Sequence, residues 1–255
     1  MEIKILIPIV FGVLSGWLVN YLADVLPRTR KFTQPVCPSC GSPIQPGGYL
    51  LFKRCQECKR FPKPRSWIVL IGMPILSILF WFFHRESIPY WLSLTISTFF
   101  TVVLIIDVEY RVILNPVSVA GIILGLGSGI YLRSGADIFH GIWSTLAGGA
   151  AGFLVMLAFY YLGTLYVKAM AKRNRIQADE VALGFGDVNL AGIIGLIVGW
   201  PAIFASLFFA ILGGGIISLV VMLTLILARR FKAFTAIPYA PFLILGACYL
   251  LFVIP

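Results

Sequence analysis

Long apolar runs separated by short polar stretches organise this chain. They cover Ile3 to Ala23, Trp67 to Phe83, Tyr90 to Ile106, Pro116 to Leu132, Ile138 to Val167, Val188 to Gly199, Ala202 to Leu227 and Tyr239 to Ile254. A helix needs about 20 predominantly apolar residues to cross a ~30 Å hydrocarbon core, and most of these runs approach or exceed that length. The run from Val188 is the shortest and ends in Gly199-Trp200-Pro201, which breaks a helix. The pattern predicts an all-α, polytopic membrane helical bundle of about eight transmembrane helices. It divides into a first transmembrane helix at 1–26, a polar loop at 27–66 and a transmembrane bundle at 67–255.

Composition points the same way. The 255 residues are 60% hydrophobic and 12% charged, with a mean hydropathy of +0.96, whereas soluble domains carry about 25% charged residues. The N-terminal run has one basic residue, Lys4, and no small-x-small site before Pro27, so it reads as a retained helix. Glycines recur inside the spans, as at Gly148, Gly149 and Gly152, where they let helix backbones approach closely in lipid.

The net charge of +10 would suit a nucleic acid if it lined one groove. Instead 17 of the 20 Lys and Arg sit in four places: nine from Arg28 to Arg65, Arg111, four from Lys168 to Arg175, and Arg229, Arg230 and Lys232. Eight crossings put all four places on one side, leaving Lys4, Arg85 and Arg133 on the other. Basic loops mark the cytoplasmic face of membrane proteins. The loop at 27–66 is therefore expected in the cytoplasm, and no nucleic-acid partner is needed.

That loop holds two Cys-x2-Cys pairs, Cys37/Cys40 and Cys55/Cys58, with 14 residues between them. Pairs at this spacing can each wrap one face of a tetrahedral ion with bonds of ~2.3 Å. So short a segment cannot bury a core, and metal binding would supply its folding free energy. The rival is disulfide or thiol redox chemistry, which a reducing cytoplasm disfavours. Four Cys ligands would close the site, making a structural zinc and not a catalytic one.

Two carboxylates border apolar spans. Asp107 ends the run Thr101-Val-Val-Leu-Ile-Ile106, and Asp187 closes Gly184-Phe-Gly-Asp at the start of another span. Acids are costly in lipid, so both need a reason. Each has a structural reading: Asp107 ends a helix or pairs with Arg111, and Asp187 caps the sixth span. The eight-span topology also puts both on one face at similar depth. Two carboxylates in a partly dehydrated pocket would share a proton and activate water for peptide hydrolysis. Gly184 and Gly186 would let backbone approach a substrate strand. Glu109, Asp179 and Glu180 read as solvated.

In this order the motifs resemble those of the prepilin peptidases, or type IV leader peptidases, a family of membrane aspartate proteases. Gly16-Trp-Leu-Val-Asn20 with Leu26-Pro27 is similar to the family's N-terminal signature, and the double Cys loop follows it. Ile106-Asp107 resembles the first catalytic aspartate, Gly184-x-Gly-Asp187 the second, and Pro238-Tyr-Ala-Pro241-Phe-Leu a C-terminal motif. The resemblance implies an endopeptidase that removes the basic leader of type IV prepilins and type II secretion pseudopilins, after a Gly, on the cytoplasmic side. It also implies N-methylation of the new terminus with S-adenosylmethionine in many members.

The chain departs from that pattern in places. Ile113-Leu-Asn115 stands where Leu-Pro-Asp is common, and Asn189 where Lys is common. No acid follows Cys58 until Glu86, whereas the family has one tied to methylation soon after the last Cys pair. Asp24, beside Leu26-Pro27, has no explanation in the resemblance. Basic loops should repel a basic leader. Membrane lipids with anionic headgroups could screen them, or Asp24, Glu57, Asp179 and Glu180 could receive the leader. Two rival classes stand beside the protease: a proton- or cation-coupled transporter using paired aspartates, and a zinc-dependent scaffold without chemistry.

Overall fold

The computed structural model describes residues 2–37, 39–50, 52–83, 88–135, 137–174, 184–227 and 239–253. Among these the elements are α1 (Glu2–Thr29), α2 (Pro46–Leu50), α3 (Pro64–Phe82), α4 (Tyr90–Tyr110), α5 (Asn115–Arg133), α6 (Ile138–Asn174), α7 (Phe185–Val198), α8 (Ile203–Leu227) and α9 (Ala240–Cys248). A π-helical turn, Tyr249–Val253, extends α9. The expected all-α membrane bundle is what forms. Asp179, Glu180, Arg85, Arg175, Arg229, Arg230, Lys232 and Pro238 lie outside the described residues.

Among the described residues six helices, α1, α3, α4, α5, α6 and α8, are long and apolar enough to cross a membrane. The other two apolar runs form shorter helices, Phe185–Val198 and Ala240–Val253. The 14 residues of α7 rise only ~21 Å, less than the hydrocarbon thickness. The eight anticipated spans thus correspond, among the described residues, to six long helices and two short ones.

The chain divides into two compact units, Met1–Tyr110 and Arg111–Pro255. In the first, α1 and α3 pack antiparallel along a stripe in which every fourth residue of α1 faces α3. A Cβ on Gly12 would lie 2.9 Å from the Pro74 nitrogen, and one on Gly16 would lie 3.4 Å from the Val69 carbonyl oxygen. One step further, Asn20 Nδ2 donates to the Ser66 carbonyl at 3.0 Å, and after another step Asp24 pairs with Arg65. Residues four apart form one ridge on a helix. The Gly-x3-Asn signature is therefore the middle of a helix contact, small where the backbones are closest and polar where they end. At the opposite end Ser77 donates to the Pro8 carbonyl at 2.6 Å and meets the Tyr90 hydroxyl at 2.7 Å. The helix α4 is buried along most of its length, through Leu94, Ile96, Phe100, Val103 and Ile106.

The second unit is built around α7. Val188, Leu190, Ala191, Ile194 and Ile197 have no exposed surface, and α5, α6, α8 and α9 all pack on this helix. Small residues make the approach possible: a Cβ on Gly148 of α6 would sit 2.5 Å from the Gly195 carbonyl oxygen, and one on Gly125 of α5 2.9 Å from Leu196 Cβ. A helix apolar all round belongs in the interior, and α7 occupies it.

Candidate active site and metal centre

The polar loop folds into two knuckles of the same design. Gly41 N–H donates to the Cys37 carbonyl at 2.9 Å, and Lys59 N–H to the Cys55 carbonyl at 3.0 Å. Each turn closes on a left-handed residue, Gly41 at φ 79° and Lys59 at φ 53°. The return strands bond back, Cys37 N–H to the Ser42 carbonyl at 2.8 Å and Cys55 N–H to Arg60 at 3.2 Å.

This brings Cys37, Cys40, Cys55 and Cys58 together with all four sulfurs within 4.8 Å of one another. Across the pairs, Cys37 Sγ lies 3.6 Å from Cys58 Sγ and Cys40 Sγ 3.7 Å from Cys55 Sγ. A tetrahedron with bonds of ~2.3 Å has edges of about 3.8 Å, so these two edges match a zinc site and all four sulfurs lie close enough to hold one ion. The Ser42 hydroxyl, 2.8 Å from Cys40 and 3.5 Å from Cys55, helps draw the Cys55 thiol down to about 6, aided by the Cys58 backbone. Burial pushes Cys37 up to about 11.

The loop is moored to one face of α1. Tyr21 donates to the Thr33 carbonyl at 2.6 Å, Arg28 Nη1 to the Cys37 carbonyl at 2.8 Å, and Tyr49 of α2 to Asp24 Oδ2 at 2.7 Å. Burial, with the Asp24 charge behind it, raises the Tyr49 phenol far above its usual range, so Tyr49 stays a donor. Phe52 stacks on Trp67 of α3 with centroids 4.9 Å apart.

Two expectations change here. Asp24 is 2% exposed and paired with Arg65 and Tyr49, so it does not receive a leader peptide. Glu109 is not simply solvated: its Oε2 lies 3.0 Å from Arg65 Nη1 and 3.1 Å from Lys63 Nζ. Tyr49 and Arg65 were missed by the reading of motifs. An acid four residues beyond a buried Asn on an apolar helix was the signal that a cation must face it.

In the first unit, Asp107 occupies the last turn of α4 and is buried. That helix stops at Arg111, whose φ of 54° is left-handed.

In the second unit, Asp187 is buried in the first turn of α7. The N-cap is Gly184 and not Asp187; Asp187 is the third helical residue, its N–H donating to the Gly184 carbonyl at 3.1 Å. A Cβ on Gly184 would lie 3.4 Å from Asp187 Oδ2, so the carboxylate leans over the cap. A Cβ on Gly186 would lie 2.9 Å from Ile113 Cβ, so that glycine is tightly packed. Tyr239, at the entry to α9, lies within electrostatic reach of Asp187. Tyr239 belongs to the C-terminal motif Pro238-Tyr-Ala-Pro241.

Comparison with known proteins bears out the resemblance carried by these motifs. Residues 94–219 match the family described as the type IV leader peptidase family. The prepilin leader peptidase/N-methyltransferase of Myxococcus xanthus (strain DK1622) is 24% identical over 228 residues, covering 84% of this chain and 62% of that protein. The chain thus spans less than two thirds of that relative's length. No solved structure matches it. The residues that match the family, 94–219, hold both aspartates.

Proposed function

We propose that this chain is a membrane aspartic endopeptidase that removes the leader from type IV prepilin-like or pseudopilin precursors. It cuts after a Gly at the cytoplasmic face of the inner membrane, with Asp107 and Asp187 as the catalytic pair. One observation supports this most directly. Among the described residues of the family segment, the buried carboxylates are these two, and each stands within one turn of a helix end. Elsewhere among the described residues, the buried Asp24 is committed to Arg65 and Tyr49.

In this reading the two carboxyl groups hold one proton between them, because like charges in a dehydrated site cannot both ionise readily. The ionised member takes a proton from water, whose oxygen attacks the scissile carbonyl carbon. The protonated member donates to the carbonyl oxygen as the tetrahedral intermediate forms. Collapse of that intermediate breaks the C–N bond, and the proton taken from water passes to the departing amine. Gly184 leaves the approach to Asp187 free of a side chain. A zinc ion on Cys37, Cys40, Cys55 and Cys58 would supply folding free energy to the loop. Those four residues, with Tyr49 and Arg28, hold the loop on α1 and take no part in hydrolysis.

The relative's printed name adds N-methyl transfer. For this chain, S-adenosylmethionine-dependent methylation is the finer step, and the missing acid after Cys58 argues against carrying it over. One assay reads both. The purified protein is incubated in lipid with a peptide carrying a basic leader, a Gly and an apolar helix, with and without S-adenosylmethionine, and the products are weighed. Cleavage after the Gly supports the proposal, and a gain of one methyl mass would add the second activity. An intact peptide, with proton or cation flux into vesicles, would replace the protease with a transporter.

A further inference from the structure

We propose that Arg65 is a positioning residue for Asp107, fixing the end of α4 through Glu109; this rests on the reading of Asp107 as one of the catalytic pair. Arg65 is the second residue of α3, where the cysteine loop re-enters the helices. Its guanidinium is a fork with two occupied arms. Nη2 pairs with Asp24 Oδ1 of α1, and Nη1 lies 3.0 Å from Glu109 Oε2 of α4. Asp24 takes its second bond from Tyr49 of α2 at 2.7 Å, and Glu109 takes one from Lys63 at 3.1 Å. Three long helices and the loop therefore meet at one side chain.

The position of this junction is what gives it a role in chemistry. Glu109 is two residues beyond Asp107 in the same last turn of α4, which ends at Tyr110. The final turn of a helix has carbonyls with no partner further along and frays readily. Here that turn carries the aspartate, and the Arg65–Glu109 bond holds it. Arginine suits the task because its planar fork can engage two carboxylates at fixed geometry, which a lysine ammonium cannot. Asp24, 2% exposed, keeps the guanidinium aimed: a buried carboxylate next to a charged partner strongly opposes its removal. Catalytic groups are sensitive to such support, since a displacement of about 1 Å can cost about 100-fold in rate.

The test uses the full-length protein and compares Arg65→Met, Arg65→Lys and Glu109→Gln with wild type and with Lys31→Met, an exposed control. Two quantities are read: hydrogen exchange of the amides at 105–110, and kcat and KM for prepilin-type peptide. Arg65→Met and Glu109→Gln should speed exchange at 105–110 and lower kcat about 10- to 100-fold, with KM within about twofold. Arg65→Lys should recover part of the kcat, and Lys31→Met should match wild type. If Arg65→Met does not fold, the milder Glu109→Gln carries the test alone. Unchanged exchange at 105–110, or unchanged kcat in Glu109→Gln, would overturn the role. If the wild-type protein cleaves nothing, the peptidase reading fails by itself. The exchange data would then still decide whether Arg65 and Glu109 fix the turn of Asp107.

Discussion

Gly148 and Gly195 are in direct backbone contact: a Cβ on Gly148 would stand 2.5 Å from the Gly195 carbonyl oxygen and 2.6 Å from the Gly199 carbonyl carbon. The obstacles are backbone atoms, which cannot swing aside as a flexible side chain would. Gly148→Val is therefore expected to push α6 from α7 and cost about 1–3 kcal/mol or more. Gly213→Ala, where a Cβ meets nothing within 4 Å, should be close to neutral. Thermal unfolding of the two variants in the same detergent checks the contrast.

The far end of α7 depends on one cation. Arg133 Nη2 donates to the Ile197 carbonyl at 2.5 Å and Nη1 to the Gly129 carbonyl at 2.9 Å. The Ile197 carbonyl lies in the last turn of α7, where no intrahelical N–H reaches it, and a positive charge there also suits the helix dipole. Arg133→Met should lower stability by about 1.5–3 kcal/mol, the range for bonds to a charged group. Gly199→Ala should mimic it, because its φ of 78° is left-handed and a Cβ would lie 2.6 Å from Arg133 Nη2. Denaturation midpoints of both variants against wild type are the measurement.

The metal centre makes a separate prediction. Purified protein is expected to carry one zinc per chain, lost on substitution of Cys37 or Cys55 by Ser. Without the ion the loop loses its main source of folding free energy. Trypsin should then cut at Lys53, Arg54, Lys59 or Arg60, which flank the second pair of ligands. Metal analysis and a timed digest, with and without chelator, read this. A loop equally resistant after zinc removal would show that Tyr21, Arg28, Tyr49 and Phe52 suffice to hold it.

How far the sequence alone reached depended on whether the relevant partners were close along the chain. The cysteine knuckles were readable because each pair of ligands and its turn lie within a few residues. The long spans were readable because length and apolarity are local properties. Asp24 was not, because Tyr49 and Arg65 lie 25 and 41 residues away, and no local pattern links them. For the same reason Glu109 was taken for a solvated acid. Arg133 was read as an outer-loop charge, although it caps α7 some 64 residues on. The run from Val188 was counted as a crossing like the rest. Its shortness was visible, but its place at the centre of the second unit follows from glycines on α5 and α6. Asp187 reads as a cap in the sequence, yet Gly184 holds that position, since an extended glycine starts α7 three residues earlier than the acid suggests.

The central claim is that Asp107 and Asp187 act as one hydrolytic unit, and a variant cycle tests it most directly. Asp107→Asn, Asp187→Asn and the double variant are each checked for folding by thermal unfolding, and cleavage of prepilin-type peptide is then timed. Groups that act together are not additive. Each single variant should lose about 100- to 10,000-fold in rate, and the double variant should lose no more than the worse single one. A folded single variant that cleaves at the wild-type rate would contradict the account.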